Sequence, residues 1–356
     1  MTMERGSVPL FVAGPSRSGT ALVRSLMNGH PDIHIANETH FFDDLRRRVS
    51  ADSPLDSDEQ AVAVDYFRSL AHRPYGHFGD PDQGWLDGVE LARRARSGGG
   101  RSDDYLQAYC EMSAVHERGA VARVWGEKTP RHIFRVDEIF DAFPEARLVA
   151  MVRDPRAVVA SYKKWRNRGG LPGADDPAHE NKLAAEAERI RRSYHPVLLS
   201  LLWRGQANAG AAALERHGPE RVRVQRYEDL VQNPEETTRE MSEWLGLEYA
   251  SEMLDVPMHN SSFSTFDKGR GVSVEAVERW RDVLDGGEVA AVQRTCEALM
   301  DANGYEPVPV TASRRDRAQP YVSLPRASVD ALRANGDRSG GVPSYLARRI
   351  KALFAG

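Results

Sequence analysis

The apolar run Val8 to Ala13 (VPLFVA) leads directly into Gly14-Pro15-Ser16-Arg17-Ser18-Gly19-Thr20. An apolar run that meets a glycine reads as a buried strand ending in a tight turn. From Thr20 to Asn28, Leu22, Val23, Leu26 and Met27 fall on one side of a helix, and Gly29-His30-Pro31 stops it. A short loop between strand and helix aims free backbone N–H groups and the positive helix end at one spot, which makes an anion site. Gly14 and Gly19 let the backbone approach a ligand closely. Arg17 offers forked donors, and Ser18 and Thr20 offer hydroxyls. The plainer alternative is an ordinary Gly-Ser turn between two elements.

The loop departs from the nucleotide-triphosphatase pattern G-x-x-x-x-G-K-[ST]. The Gly14 to Gly19 spacing fits, but Thr20 stands in place of Lys and Ala21 in place of the metal-binding hydroxyl. A triphosphate needs both groups. The loop therefore favours another phosphate donor, held without a metal, and a P-loop small-molecule kinase is the rival reading. No His/Cys cluster has metal-ligand spacing.

Further along, residues 51 to 119 read as a helical insertion, with a glycine break at Gly98-Gly99-Gly100 that is expected to be a mobile loop. Strands are expected at Val121–Trp125, Arg147–Val152 and Arg221–Tyr227. Asp154-Pro155 suits a helix entrance, and a helix is expected over Glu235–Leu245 after Asn233-Pro234. Strand and helix alternate, so the fold class is α/β, a P-loop-like parallel sheet flanked by helices. Residues 1–310 are expected to form a single domain. Residues 311–356 form a tail, with a basic amphipathic segment at Tyr345–Phe354 read as docking onto the domain or a second subunit, which leaves a homodimer open.

A second anion site is suggested by Arg153-Asp-Pro-Arg156, at a strand end that opens a helix, with Ser161 about two turns in. The two sites together resemble the PAPS-dependent sulfotransferase superfamily, where PAPS is 3′-phosphoadenosine-5′-phosphosulfate. The first loop resembles its 5′-phosphosulfate loop, and Arg153 to Tyr162 (RDPRAVVASY) its 3′-phosphate motif. Tyr227-Glu-Asp-Leu-Val231, Asn233-Pro234 and Leu245-Gly246-Leu247 match the stretch that follows in the family. Gly126-Glu-Lys-Thr-Pro-Arg-His132 matches an element of many bacterial members. These elements appear in family order across roughly residues 8 to 285. The style is closest to tyrosylprotein-type and related bacterial enzymes. Arg17 stands where cytosolic aryl and steroid members carry Lys.

The resemblance implies PAPS as co-substrate, adenosine 3′,5′-bisphosphate as product, and in-line transfer to a hydroxyl. It places Glu38 as general base and Lys128 and Arg17 as charge stabilisers. Pro15, Ser16, Arg17, Ser18, Gly19 and Thr20 would hold the phosphosulfate end, Arg153 and Ser161 the 3′-phosphate, with Tyr227 packed near it. Lys268 and Gly269 would belong to a basic loop over the donor. Alternatives stay open: Glu38 as a cap on a helix starting near Thr39, Lys128 as a surface partner of Glu127, and His34 or His40 as base. A catalytically dead binding protein on this fold is disfavoured by the presence of both Glu38 and Lys128. The acceptor could be a small molecule, a glycan or glycolipid, or a peptide tyrosine.

A net charge of -4 over 356 residues argues against a nucleic-acid partner, so a polyanionic ligand needs a local basic cluster. Cys110 and Cys296 read as two buried thiols in a reducing compartment. Met1 to Val8 lacks the pattern of a secretory signal, and no apolar run approaches the length of a membrane span. A cytoplasmic location is the expectation.

Overall fold

The computed structural model describes residues 7–71, 84–167, 188–256 and 271–335. Five parallel strands make one sheet: β1 (Val8–Ala13), β2 (Ile33–Ala36), β3 (Val124–Lys128), β4 (Arg147–Val152) and β5 (Val222–Arg226). Their order is β2-β3-β1-β4-β5. Helix α1 (Thr20–Asn28) follows β1. The insertion between β2 and β3 carries α2 (Ser57–Ala71), α3 (Gly88–Gly98) and α4 (Ser102–Arg118). Helix α5 (Val136–Ala142) links β3 to β4, and α6 (Pro155–Asn167) and α7 (Pro196–His217) lie between β4 and β5. After β5 come α8 (Tyr227–Gln232), α9 (Pro234–Trp244), α10 (Gly286–Ala302), α11 (Arg314–Val322) and α12 (Leu324–Asn335). The expected class stands: a P-loop-like parallel sheet flanked by helices, with a helical insertion.

Both sheet faces are covered, which is why the central strands read as continuous apolar runs. Side chains alternate, so Leu10 and Val12 join Val149 and Met151 beneath Val23, Leu26 and Met27 of α1. Phe11 and Ala13 face the other way, with Leu148 and Ala150, against Phe67, Leu91 and Tyr105 of the insertion. A third cluster joins Val159 of α6, Trp203 of α7 and Val292 of α10.

The strands around β1 place the site. β1 lies between β3 and β4, and the chain passes from one side of it to the other between those two strands. Ligands of open parallel sheets bind at such a switch point, outside the carboxyl ends of the strands. The Gly14–Thr20 loop occupies that position.

Several expectations need correction. The third strand starts at Val124 rather than Val121, because α4 ends at Arg118 with Gly119 (φ 76°) as its C-cap and Val121 stands 63% exposed. Gly98 closes α3, and Gly99-Gly100 make a hydrogen-bonded turn where a loop is expected. Gly100 donates to Ala95 O at 2.9 Å, and its carbonyl accepts from Leu55 N at 2.8 Å. The last strand stops at Arg226, and Tyr227 opens α8. Apart from these corrections, the chain after Val310, read as a tail, carries α11 and α12. Asn335 bonds Arg189 at 2.8 Å, and Ser323 bonds His195 at 3.1 Å. The segment Tyr345–Phe354 lies outside the described residues. Both cysteines are free and buried. Among the described residues, no helix is long and apolar enough to cross a membrane.

Candidate active site

The first anion loop is built from backbone conformations that ordinary residues avoid. Gly14 (φ 127°), Arg17 (φ 73°) and Gly19 (φ 91°) all have positive φ. Arg17 is the one without glycine's freedom, and such strain gathers at functional sites. Gly14 N donates to Pro130 O at 3.0 Å, and a Cβ on Gly14 would sit 2.4 Å from Met151 O. The loop is thus wedged between the exits of β3 and β4. The Ser18 backbone N–H and hydroxyl both donate to Pro15 O, at 3.1 and 2.5 Å, so this hydroxyl closes the loop on itself.

Gly19 is the N-cap of α1. No side chain caps it, and the first turn holds no acidic residue. The first N–H groups of a helix lack intrahelical partners, so the positive end of α1 is left for an outside anion.

The second candidate anion site is joined to the first. Arg17 Nε donates to Ser161 Oγ at 3.0 Å. Arg153 donates to Arg17 O at 3.1 Å and to Ala276 O at 2.7 Å, and its guanidinium lies 4.1 Å from the centre of the Tyr227 ring. That ring closes on the loop from below, because a Cβ on Gly19 would stand 2.5 Å from it. Arg17, Ser161, Arg153, Tyr227 and Gly19 therefore form one contiguous network of contacts. Lys268 and Gly269 lie outside the described residues.

Glu38 and Lys128 meet at the other side of the loop. Pairing of β2 with β3 sets Ala36 opposite Glu127, so both chains leave the sheet side by side. Lys128 sits opposite Val12 of β1, just before the loop. Its Nζ lies 2.5 Å from Glu38 Oε1, and His40 Nε2 lies 3.4 Å from Glu38 Oε2. Lys128 is buried, whereas 34% of the Glu38 side chain is exposed. Burial pushes the Glu38 carboxyl up, but the Lys128 ammonium and the His40 ring outweigh it and hold the group well below the usual carboxylate range. Solvent at that exposure tempers both effects.

The alternatives for these residues fare differently. No helix starts at Thr39, so Glu38 is not a helix cap. Lys128 pairs with Glu38 and not with Glu127. His34 is buried against α4, with Nε2 2.9 Å from Ser113 Oγ. Burial, helped by the charges of Arg24 and Arg118, lowers its pKa to about 4. It lies on the sheet face opposite Lys128 and makes a poor base.

Sequence reasoning missed the buried supports. Glu127 carries no exposed surface, and its carboxylate takes bonds from Thr39, Thr129 and His132. Glu228, buried behind the second anion site, accepts from Asp154 N at 3.1 Å and from Tyr305 Oη at 2.9 Å. A carboxylate next to apolar residues in a strand or at its exit was the available signal, since such a group needs partners inside the fold. Among the described residues, no group of three or more His, Cys, Asp or Glu side chains could hold a metal ion.

Known proteins match this chain. The profile described as "Sulfotransferase family" matches residues 9–251. The nodulation protein NoeE of Sinorhizobium fredii (strain NBRC 101917 / NGR234) is 26% identical over 319 residues, which is 86% of this chain and 68% of that protein. A putative protein-tyrosine sulfotransferase of Caenorhabditis briggsae is 21% identical over 282 residues, covering 77% of this chain and 80% of that one. Among solved structures, the sulfotransferase domain of the Synechococcus PCC 7002 olefin synthase aligns with a TM-score of 0.47 at 18% identity, over 87% of this chain and 99% of that domain.

Proposed function

Because the chain belongs to the sulfotransferase family, we propose that it moves the sulfuryl group of PAPS to a hydroxyl of an acceptor, with Glu38 as general base. The observation that carries this reading is the Glu38–Lys128 pair, 2.5 Å apart at the carboxyl ends of β2 and β3 beside an uncapped helix N-terminus. A carboxylate for the acceptor proton and a cation for the departing charge stand next to an anion cradle. In-line transfer from a phosphosulfate needs those three parts.

The step balances as follows. The acceptor hydroxyl gives its proton to Glu38 as its oxygen forms a bond to sulfur. The bond between sulfur and the bridging oxygen of the 5′-phosphate breaks, and its electron pair stays on adenosine 3′,5′-bisphosphate. Lys128 and Arg17 meet the charge that grows there. Pro15 to Thr20 hold the 5′ end, Arg153 and Ser161 the 3′-phosphate, with the Tyr227 ring beneath Arg153. An arriving donor competes with Glu38 for the Lys128 ammonium. The carboxylate then loses its nearest cation and becomes a stronger base when the donor is in place.

Acceptor classes consistent with this chemistry are a small molecule, a glycan or glycolipid, and a peptide tyrosine. A small-molecule kinase is disfavoured because Thr20 and Ala21 replace the Lys and hydroxyl that a triphosphate and its magnesium require. Calorimetry with adenosine 3′,5′-bisphosphate and with ATP·Mg tests the donor directly. Binding of the bisphosphate alone is expected, and binding of ATP·Mg alone would restore the kinase. A mass-spectrometric screen of the three acceptor classes with PAPS, run with and without chelator, then identifies the acceptor. Turnover is expected to survive chelation.

A further inference from the structure

β3 ends in two successive ionic side chains, Glu127 and Lys128. The two-residue period of a strand sends them to opposite faces. Lys128 turns to meet Glu38, and Glu127 points into the interior with no exposed surface. An ionised carboxylate persists there only if donors surround it. Glu127 Oε2 accepts from Thr39 N at 3.2 Å, from Thr39 Oγ1 at 3.1 Å and from the Thr129 hydroxyl. Its Oε1 lies 2.7 Å from His132 Nδ1. Burial pushes this carboxyl up, but the His132 ring and the hydroxyl and amide donors outweigh it and hold the group low.

The partners are the significant part. Thr39 directly follows Glu38, and Thr129 directly follows Lys128. Thr129 Oγ1 in turn accepts from Thr39 N at 3.1 Å and from His40 N at 3.3 Å. The Tyr66 hydroxyl of α2 donates to Thr39 O at 2.5 Å, tying the insertion to the same point. His132 is itself fixed by edge-to-face packing on Phe42, 5.2 Å between ring centres. One buried carboxylate thus binds the chain just after the base to the chain just after the cation.

We propose that Glu127, acting through Thr39 and Thr129, is a positioning residue that sets the separation of Glu38 and Lys128. It touches neither donor nor acceptor. The inference rests on the reading of Glu38 as base and Lys128 as cation. It adds that their spacing is held from behind the sheet by a charged hub, rather than by their own ion pair alone. Small errors in such spacing are costly, since a displacement of about 1 Å at a reacting group can cost about a hundredfold in rate.

The test uses the full chain in two backgrounds. Thr129→Val keeps volume and removes the hydroxyl bridge; Glu127→Gln keeps shape and removes the charge. Each is made alone and together with Glu38→Gln. In the native background, each is expected to lower kcat about 10- to 100-fold with affinity for adenosine 3′,5′-bisphosphate unchanged. The acid limb of the kcat/KM profile should also move to higher pH, because in the free enzyme Glu38 then loses part of its hold on Lys128 while His40 stays on its other oxygen. In the Glu38→Gln background, the same substitutions are expected to cost much less, since one of the two groups whose separation they set is gone and only the placement of Lys128 remains. A fall in thermal stability with kcat and the acid limb unmoved would overturn the proposal. So would an equal loss of kcat in both backgrounds. Near-normal turnover of Glu38→Gln alone would instead remove the base reading beneath it. If Glu127→Gln does not fold, Thr129→Val carries the same comparison.

Discussion

Lys128 Nζ lies 2.5 Å from Glu38 Oε1, although 90 residues separate them in the chain. Neither side chain reaches the other by local structure. Parallel pairing of β2 with β3 brings them together, and the pair stands beside the loop that leaves β1. The carboxylate and the ammonium therefore restrain each other, and in the proposed reaction an arriving donor divides them.

Glu38→Gln preserves shape and removes the proton acceptor. Turnover should fall by about 10²–10⁴-fold, with bisphosphate affinity nearly unchanged. Steady-state kinetics with an aliphatic alcohol acceptor, together with calorimetry, checks both halves. A phenol is the less informative acceptor, because its lower pKa reduces the need for a base.

Lys128→Met removes the cation that lowers the Glu38 carboxyl. Burial, which pushes that carboxyl up, then has less opposing it. The Glu38 pKa should rise, and carboxyl ¹³C shifts followed through a pH titration report it. The sign for stability follows from linkage. A depressed carboxylate contributes stability above its unfolded pKa of about 4.3, and the contribution is lost as pH falls through the folded value. Lys128→Met should shrink that contribution. An unmoved titration would show that the pair is not coupled.

Arg153→Ala removes the guanidinium that holds Arg17 O and Ala276 O and stacks on Tyr227. A charge-assisted bond to phosphate is worth about 1.5–3 kcal/mol, so bisphosphate affinity should drop about tenfold or more. Unchanged affinity in a folded variant would remove Arg153 from the donor site.

Gly19→Ala tests the loop. At φ 91° a Cβ is strained, and it would also stand 2.5 Å from the Tyr227 ring. A cost of about 1–3 kcal/mol in stability is expected, with weaker donor binding, read by thermal melting and calorimetry. A variant of native stability and affinity would mean that the loop relaxes freely.

His34 gives stability a pH dependence on the acid side. Its pKa falls from 6.5 to about 4 on folding, so the unfolded chain binds the extra proton between those values. This contribution is complete above pH 6.5 and is lost as pH drops toward 4. His195, lowered by burial, acts with the same sign. Melting temperatures should fall from pH 7 to 5, and His34→Gln should flatten the slope. Equal slopes in the two proteins would assign the effect elsewhere.

The sequence by itself determined the local units of this protein. Apolar runs and a glycine loop specified β1, the anion loop and α1 to the residue, because strand, turn and helix signals act over a few neighbours. The same local signals marked β4 and the start of α6. Arg153 and Ser161 are suggested by their place at a strand end and in the helix that follows, whereas Glu38 and Lys128 become candidates only through resemblance, since each alone looks like a common surface residue. Where a boundary depended on contact rather than pattern, the reading slipped. The strand expected at Val121 waits until Val124, after the left-handed Gly119 has turned the chain, and the glycine run at Gly98–Gly100 is held by bonds to Ala95 and Leu55.

Only the tertiary structure decided the site's wiring. Register between β2 and β3 placed Glu38 on Lys128. The crossing from β3 to β4 placed Arg17 on Ser161, 144 residues away. Glu127 looked like a neighbour for Lys128 along the chain, yet strand geometry turned it to the opposite face and made it a buried hub. The physical reason is one of range. Propensity and capping are set by residues within a turn or two, whereas the partner of a buried charge is chosen by whichever strand or helix the whole chain packs against it.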